Sequence, residues 1–201
     1  MRHNPKCKNC KERFTPYHGL QKYCFKDECK KVWIETESKK QWKKTKPKMD
    51  IVANGNKYVK TLQKEINTLV KMIDKSFGYN CIDCNKEYTG QIDAAHYFST
   101  NGDHFLRFNL HNIHSSRAHC NQFDPDHKKR YPSGLELRYG AKYANSIDEL
   151  PLKYKGCKFS NQEVADAIPV VRKLIRDFDT FKFKDGAVAR EQLNKIIGIY
   201  N

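Results

Sequence analysis

The chain has 201 residues, 38% apolar and 30% charged, enough for one substantial core plus a satellite and too apolar for a disordered chain. Its 38 Lys and Arg outnumber 23 Asp and Glu, and a net charge of +15 favours a polyanionic partner, nucleic acid ahead of an anionic membrane surface. No apolar run approaches the roughly 18–20 residues of a membrane span, and the opening residues lack the apolar core of a secretion signal. The expected compartment is therefore cytoplasmic, where eight cysteines point to metal before disulfides.

Taken in chain order, Cys7-x2-Cys10 and Cys24-x4-Cys29 come first. Two short-spaced thiolate pairs can close a tetrahedron around zinc, and so short a segment needs that staple to fold. Phe14, Tyr17 and Tyr23 are expected to supply its small core. The alternative is a set of reduced, purely structural cysteines. From Lys30 to Lys48 the composition turns basic and helical, and the first 48 residues hold 15 Lys/Arg against 5 Asp/Glu, two thirds of the whole excess. Lys39, Lys40, Lys43 and Lys44 stand with Trp33 and Trp42 there, a mixture suited to phosphates and to stacking on exposed bases, although any one lysine can equally belong to a solvated helix face. Pro47 is expected to stop this helix or offset it from the next.

Tyr58, Leu62, Ile66, Leu69, Val70, Ile73 and Phe77 recur at helical spacing and end on Gly78, which predicts an amphipathic helix of about five turns that packs on the next domain. Next comes a stretch opened by Cys81 and Cys84 and closed by Cys120. Gln91 to Phe98 is expected to be a strand, Asn101-Gly102-Asp103 a turn, His104 to Phe108 a second extended piece, and Ala118 the start of a helix. Ser133 to Tyr139 reads as a short helix stopped by Gly140. Ser160 to Glu163 has the form of a capping box ahead of Val164 to Phe178, a helix in which Pro169 should produce a kink or a split. A last helix is expected from about Ala187, and Cys157 is expected to be a small buried hydrophobe. The fold class is thus α+β, mainly helical: a zinc-stapled core with an N-terminal four-cysteine finger and C-terminal helices. The expected parts are a finger over 1–30, a basic and amphipathic helical linker over 31–78, the core over 79–140 and a helical region over 141–201.

The series Cys81/Cys84, Asp93–Tyr97, Leu106–His114 and Cys120–Gln122 resembles the NinG (Rap) recombination proteins of lambdoid phages, which belong to the HNH, or ββα-metal, nucleases. The N-terminal cysteines, the basic helix and Tyr131…Gly134-Leu135…Arg138-Tyr139-Gly140 follow the same order, so the likeness covers most of the chain. It implies a metal-dependent endonuclease acting on branched DNA, such as Holliday junctions or strand-invasion loops. Homodimerisation and a phage or host recombinase partner go with that activity.

Carried over, His96 is the general base, Asn112 braces the loop, and Asn121 holds one Mg²⁺ or Mn²⁺ ion. Asp93 is the acidic ligand, because Ala95 stands where such sites place an acid directly before the histidine; Asp124 and His127 are fallback ligands. A histidine on a strand can also simply be a satisfied core residue. The family closes a second zinc with Cys-x2-Cys, and here Arg117 holds the earlier position. That leaves Cys81, Cys84 and Cys120, with His119 or His114 as the fourth ligand, or a site that has weakened. Arg107, Arg117, Lys128, Lys129 and Arg130 are candidate phosphate contacts or ordinary surface charge. Two other readings fit part of the pattern: a non-catalytic zinc-stapled DNA-binding or recombination-mediator protein, and an RNA-binding zinc protein.

Overall fold

The computed structural model describes residues 4–100 and 104–200, so the expected turn at 101–103 lies outside the described residues. The chain forms two compact units, Met1–Ala53 and Asn54–Asn201. The first contains the four N-terminal cysteines and one helix, α1 (Asp27–Ala53). Phe14 and Tyr23 pack against Cys7, Cys24 and Cys29, whereas Tyr17, expected in that core, is exposed. α1 runs through Pro47 to Ala53 rather than stopping there.

The second unit is built on α2 (Gly55–Ser76). Leu62, Ile66, Leu69, Val70 and Ile73 recur every three or four residues and are all fully buried, because one face of the helix is covered along its length. The cover is α7 (Asn161–Arg176), with α8 (Gly186–Ile197) and Phe108, Leu110 and Ile113 completing the same core. The capping box is formed: Ser160 Oγ accepts from the Glu163 N–H at 3.2 Å and Glu163 Oε2 accepts from the Ser160 N–H at 2.7 Å. Pro169 does not split α7, which runs through it as one helix. The proline lies on the exposed face, and buried residues on both sides, Ile168 and Val171, hold the two halves onto the core.

The sheet has two antiparallel strands, β1 (Ile92–His96) and β2 (Ile113–Arg117), paired so that Asp93 faces Ser116 and His96 faces Ile113. The second strand is therefore not His104 to Phe108, where His104–Leu106 forms a 3₁₀ turn instead. β2 is buried along Ile113 to Ser116 and leads directly into α3 (Ala118–Phe123). α4 (His127–Tyr139), α5 (Ala141–Asp148) and α6 (Leu150–Lys153) enclose a smaller core of Ile82, Ala95, Leu106, Tyr131, Leu135, Ile147 and Leu150. Cys157 is exposed, against the expectation of burial. Residues 79–140 and 141–201, separate on the sequence reading, share one core with α2.

A buried ion pair crosses this unit. Asp74 on α2 and Arg190 on α8 have no exposed surface, and Arg190 Nη2 donates to Asp74 Oδ1 at 2.6 Å. Asp74 Oδ2 accepts from the Ser115 N–H at 2.6 Å and faces Arg138 Nη1 at 3.3 Å, while Arg190 Nε donates to the Leu110 carbonyl at 3.0 Å. Burial alone would raise the Asp74 carboxyl; the two guanidinium groups and the Ser115 N–H outweigh it and hold the group below the ordinary range. Removing one partner leaves an uncompensated buried charge, at a cost of about 3–5 kcal/mol.

Candidate metal and nucleic-acid sites

Two cysteine knuckles share one backbone geometry. In the first, the Cys7 N–H donates to the Glu12 carbonyl at 2.8 Å and the Lys11 N–H donates to the Cys7 carbonyl at 3.1 Å. In the second, the Cys81 N–H donates to the Lys86 carbonyl at 3.0 Å and the Asn85 N–H donates to the Cys81 carbonyl at 2.9 Å. Lys11 and Asn85, each directly after the second cysteine, have φ of +65° and +53°, the two non-glycine residues with positive φ among those described. A strained backbone repeated at the same step of two unrelated loops turns both thiols inward.

The thiols of Cys7, Cys10, Cys24 and Cys29 all lie within 4.8 Å of one another. Cys10 and Cys24 have their sulfurs 3.7 Å apart, against about 3.8 Å expected for two thiolates on a tetrahedral zinc with Zn–S near 2.3 Å. Burial works against ionisation of Cys7, but N–H groups of Cys24, Cys10 and Asn9 overcome it and lower the thiol to about 6. Four converging sulfurs with N–H donors behind them fit zinc, and these residues could hold it.

Cys81, Cys84 and Cys120 form a second group within the same limit, with Cys84 and Cys120 sulfurs 3.6 Å apart and the Arg117 N–H 3.2 Å from Cys81 Sγ. Neither His119 nor His114 joins it among the described residues. His119 lines the same cleft as Cys84 and Cys120, and His114 is fully buried with Nδ1 against the Tyr131 hydroxyl at 3.1 Å. In place of a fourth ligand the Arg117 side chain lies beside Cys84; burial would raise that thiol, but the Lys86 N–H, the thiols of Cys120 and Cys81 and the Arg117 side chain together lower it. Arg117 Nη2 also donates to Thr89 Oγ1 at 2.9 Å. Zinc fits this group with three thiolates and an open fourth position.

β1 and α3 place the other candidate residues. Asn121 Nδ2 donates to Asp93 Oδ2 at 3.0 Å and Gln122 Nε2 donates to the same oxygen at 2.7 Å. Gln91 Nε2 reaches Asp93 Oδ1 at 3.1 Å. Partial burial would raise Asp93, but these three amides, with Lys71 nearby, hold it below its usual value, so it is ionised at neutral pH. Sequence reasoning did not identify Gln122 or Gln91; only their distance from Asp93 along β1 and α3 marks them.

His96 is not in contact with this cluster. It lies three residues further along β1, where strand alternation turns it to the opposite face, about 10 Å away along the backbone. Its Nε2 is 3.0 Å from the Arg107 carbonyl, which can only accept, so Nε2 carries the proton and Nδ1 keeps its lone pair. Burial, aided by the Arg107 charge and opposed by that hydrogen bond, lowers its pKa below 6.5. Asn112 is fully buried. Its Oδ1 accepts from the Phe98 N–H at 2.7 Å and its Nδ2 donates to the Phe98 and Leu106 carbonyls, each at 3.1 Å, so one amide ties both ends of the segment between the strands. Asp124 and His127 are engaged elsewhere: Asp124 with Arg130, and His127 Nδ1 with buried Asp83 Oδ1 at 2.6 Å.

Of the basic residues, Lys39, Lys40 and Lys129 pair with Glu35, Glu37 and Asp126, while Lys43, Lys44 and Lys128 are exposed with no carboxylate partner among the described residues. Arg107 Nη2 donates to the Thr100 carbonyl at 3.4 Å. No helix among the described residues is long and apolar enough to cross a membrane.

These features define a class: a mainly helical protein with a strand–strand–helix centre and two cysteine knuckles able to bind zinc. The family described as "Bacteriophage Lambda NinG protein" matches residues 1–180, and the chain belongs to the NinG family. Similar curated proteins are Protein ninG of Escherichia phage lambda, 29% identical over 163 residues (71% of this chain, 79% of that one), and Protein ninG of Salmonella phage P22, 28% identical over 178 residues (79% and 85%). Protein ninG of Escherichia phage 933W is 29% identical over 161 residues, with 71% and 79% covered. No solved structure matched the chain.

Proposed function

We propose that the protein is a metal-dependent endonuclease of the HNH type, cutting branched DNA during phage recombination. The observation that carries this reading is His96: a neutral imidazole whose protonated nitrogen is held by a backbone carbonyl while the other is left basic. In hydrolysis His96 Nδ1 takes a proton from water as the oxygen attacks phosphorus, the bond from phosphorus to one deoxyribose oxygen breaks, and that oxygen takes a proton from solvent. Asn112 fixes the segment that carries the Arg107 carbonyl, and hence the imidazole. Asp93 and Asn121 would offer two hard oxygens to a Mg²⁺-like ion once the Asn121 amide turned Oδ1 forward. A bound ion would supply positive charge to the scissile phosphate and leaving oxygen.

A second reading is favoured by one observation. Ala95, in the acid's usual position, is buried in the core, and Asp93 and His96 face opposite sides of β1. A zinc-stapled DNA-binding mediator without catalysis needs no closer arrangement. Cleavage of a labelled four-way junction with Mg²⁺ or Mn²⁺ decides between the two. Cutting by the wild type that His96→Ala abolishes supports the nuclease; binding without cutting supports the mediator.

A further inference from the structure

Between the loop that precedes α1 and the first turns of α1, the N-terminal unit opens a cleft of about 510 Å³, within the range of small-ligand sites. Tyr17, Phe25 and Trp33 line it, and their exposures of 88%, 57% and 50% are high for large aromatic side chains. The cysteine cluster beneath takes Phe14 and Tyr23 for its own packing and leaves these three rings unused. Lys8, Lys22 and Lys30 line the same cleft, Lys30 with its Nζ 3.3 Å from the exposed Asp27 carboxylate, and the one carboxylate among the lining residues, Glu37, is paired with Lys40.

We propose that this cleft binds unpaired bases of single-stranded DNA, with the rings stacking on the bases and the lysines meeting the phosphates. Aromatic faces accept any base, so the site senses the absence of pairing rather than sequence. A fully paired duplex keeps its bases stacked inside and offers the rings nothing, whereas lysines alone would bind both forms by charge. Bare apolar protein surface fits less well, because a lysine-rimmed aromatic cleft would leave several charges facing a neutral partner. The inference rests on nucleic acid as the partner but not on catalysis, and it gives the proposed branch-cutting activity a means of finding unpaired DNA.

The test uses the full chain. Trp42→Phe leaves Trp33 as the sole tryptophan, and its fluorescence is followed while an oligothymidylate of about fifteen nucleotides, or a duplex of equal length, is added in Mg²⁺-free buffer. The expected result is strong quenching by the single strand and little by the duplex. Trp33→Ala and Phe25→Ala should each weaken single-strand binding by about 5- to 150-fold and change duplex binding by no more than about 2-fold. Both variants should keep the wild-type zinc content, which separates a lost ring from a lost knuckle. Equal affinity of wild type and Trp33→Ala for the single strand overturns the proposal, and so does quenching by an acidic aromatic peptide but not by oligothymidylate. Ring-dependent single-strand binding by a chain that cuts no junction supports the cleft and retires only the nuclease; junction cutting with ring-independent binding does the reverse.

Discussion

The Asn121 amide nitrogen sits 3.0 Å from Asp93 Oδ2, joining the first turn of α3 to the start of β1. The contact makes the two residues one unit. Asn121→Ala should raise the Mg²⁺ concentration needed for half-maximal junction cleavage by about 10- to 100-fold while leaving metal-free DNA affinity unchanged. A large loss of affinity in metal-free buffer would contradict the assignment of Asn121 as an ion ligand.

The state of His96 sets a pH dependence. Its folded pKa lies below 6.5, so the basic form predominates at pH 7 and is lost as pH falls through that lowered value. The acid limb of kcat/KM should therefore lie below pH 6.5. The same shift makes the unfolded chain the better proton acceptor, so stability contributed by this group declines as pH falls below about 6.5. An acid limb above that point would show that another group is titrating.

Three thiolates and an arginine make the second knuckle the weaker of the two. Total zinc should approach two per chain, and a competing chelator should remove it in two steps. Arg117→Cys restores a fourth sulfur at a position whose N–H already lies 3.2 Å from Cys81 Sγ, and should merge the steps into one. One zinc per wild-type chain, or two-step release from the variant, would refute this.

Gly134 marks a close approach between α4 and the second knuckle. A Cβ there would come within 1.7 Å of the Ile82 carbonyl oxygen, a backbone atom with no rotamer to escape into. Gly134→Ala should cost about 1–3 kcal/mol despite alanine's better helix propensity, measured as a lowered midpoint in denaturant. No change in midpoint would mean that α4 can move away freely.

Elements governed by local rules are legible in the sequence. The apolar period of α2, the Ser160–Glu163 box and the short cysteine spacings each act within one turn or one loop, and the structure bears each of them out. β2 escapes a sequence reading for a physical reason. Ser115 and Ser116 are buried by virtue of partners far along the chain, Asp74 for the Ser115 N–H and Asp83 for the Ser116 hydroxyl, so the strand shows no apolar alternation. Pro169 misleads in the opposite direction, since a helix pinned on both sides of an exposed proline does not break. At the candidate site, Asp93 and Asn121 are recognisable from sequence and do meet, but the opposite facing of His96 depends on strand register that no spacing reveals.

The Asp74–Arg190 pair fixes an order of events during synthesis. When a ribosome has delivered α2, the hairpin, α3 and α4, Asp74 and Arg138 are present but Arg190, 116 residues after Asp74, is not. Until α8 emerges, the carboxylate beneath β2 lacks one of its two cations, and Leu62 to Ile73 lack part of their cover. The hairpin that carries His96 and Asp93 thus acquires its final support last, and an interrupted chain would release an unfinished centre rather than a working one.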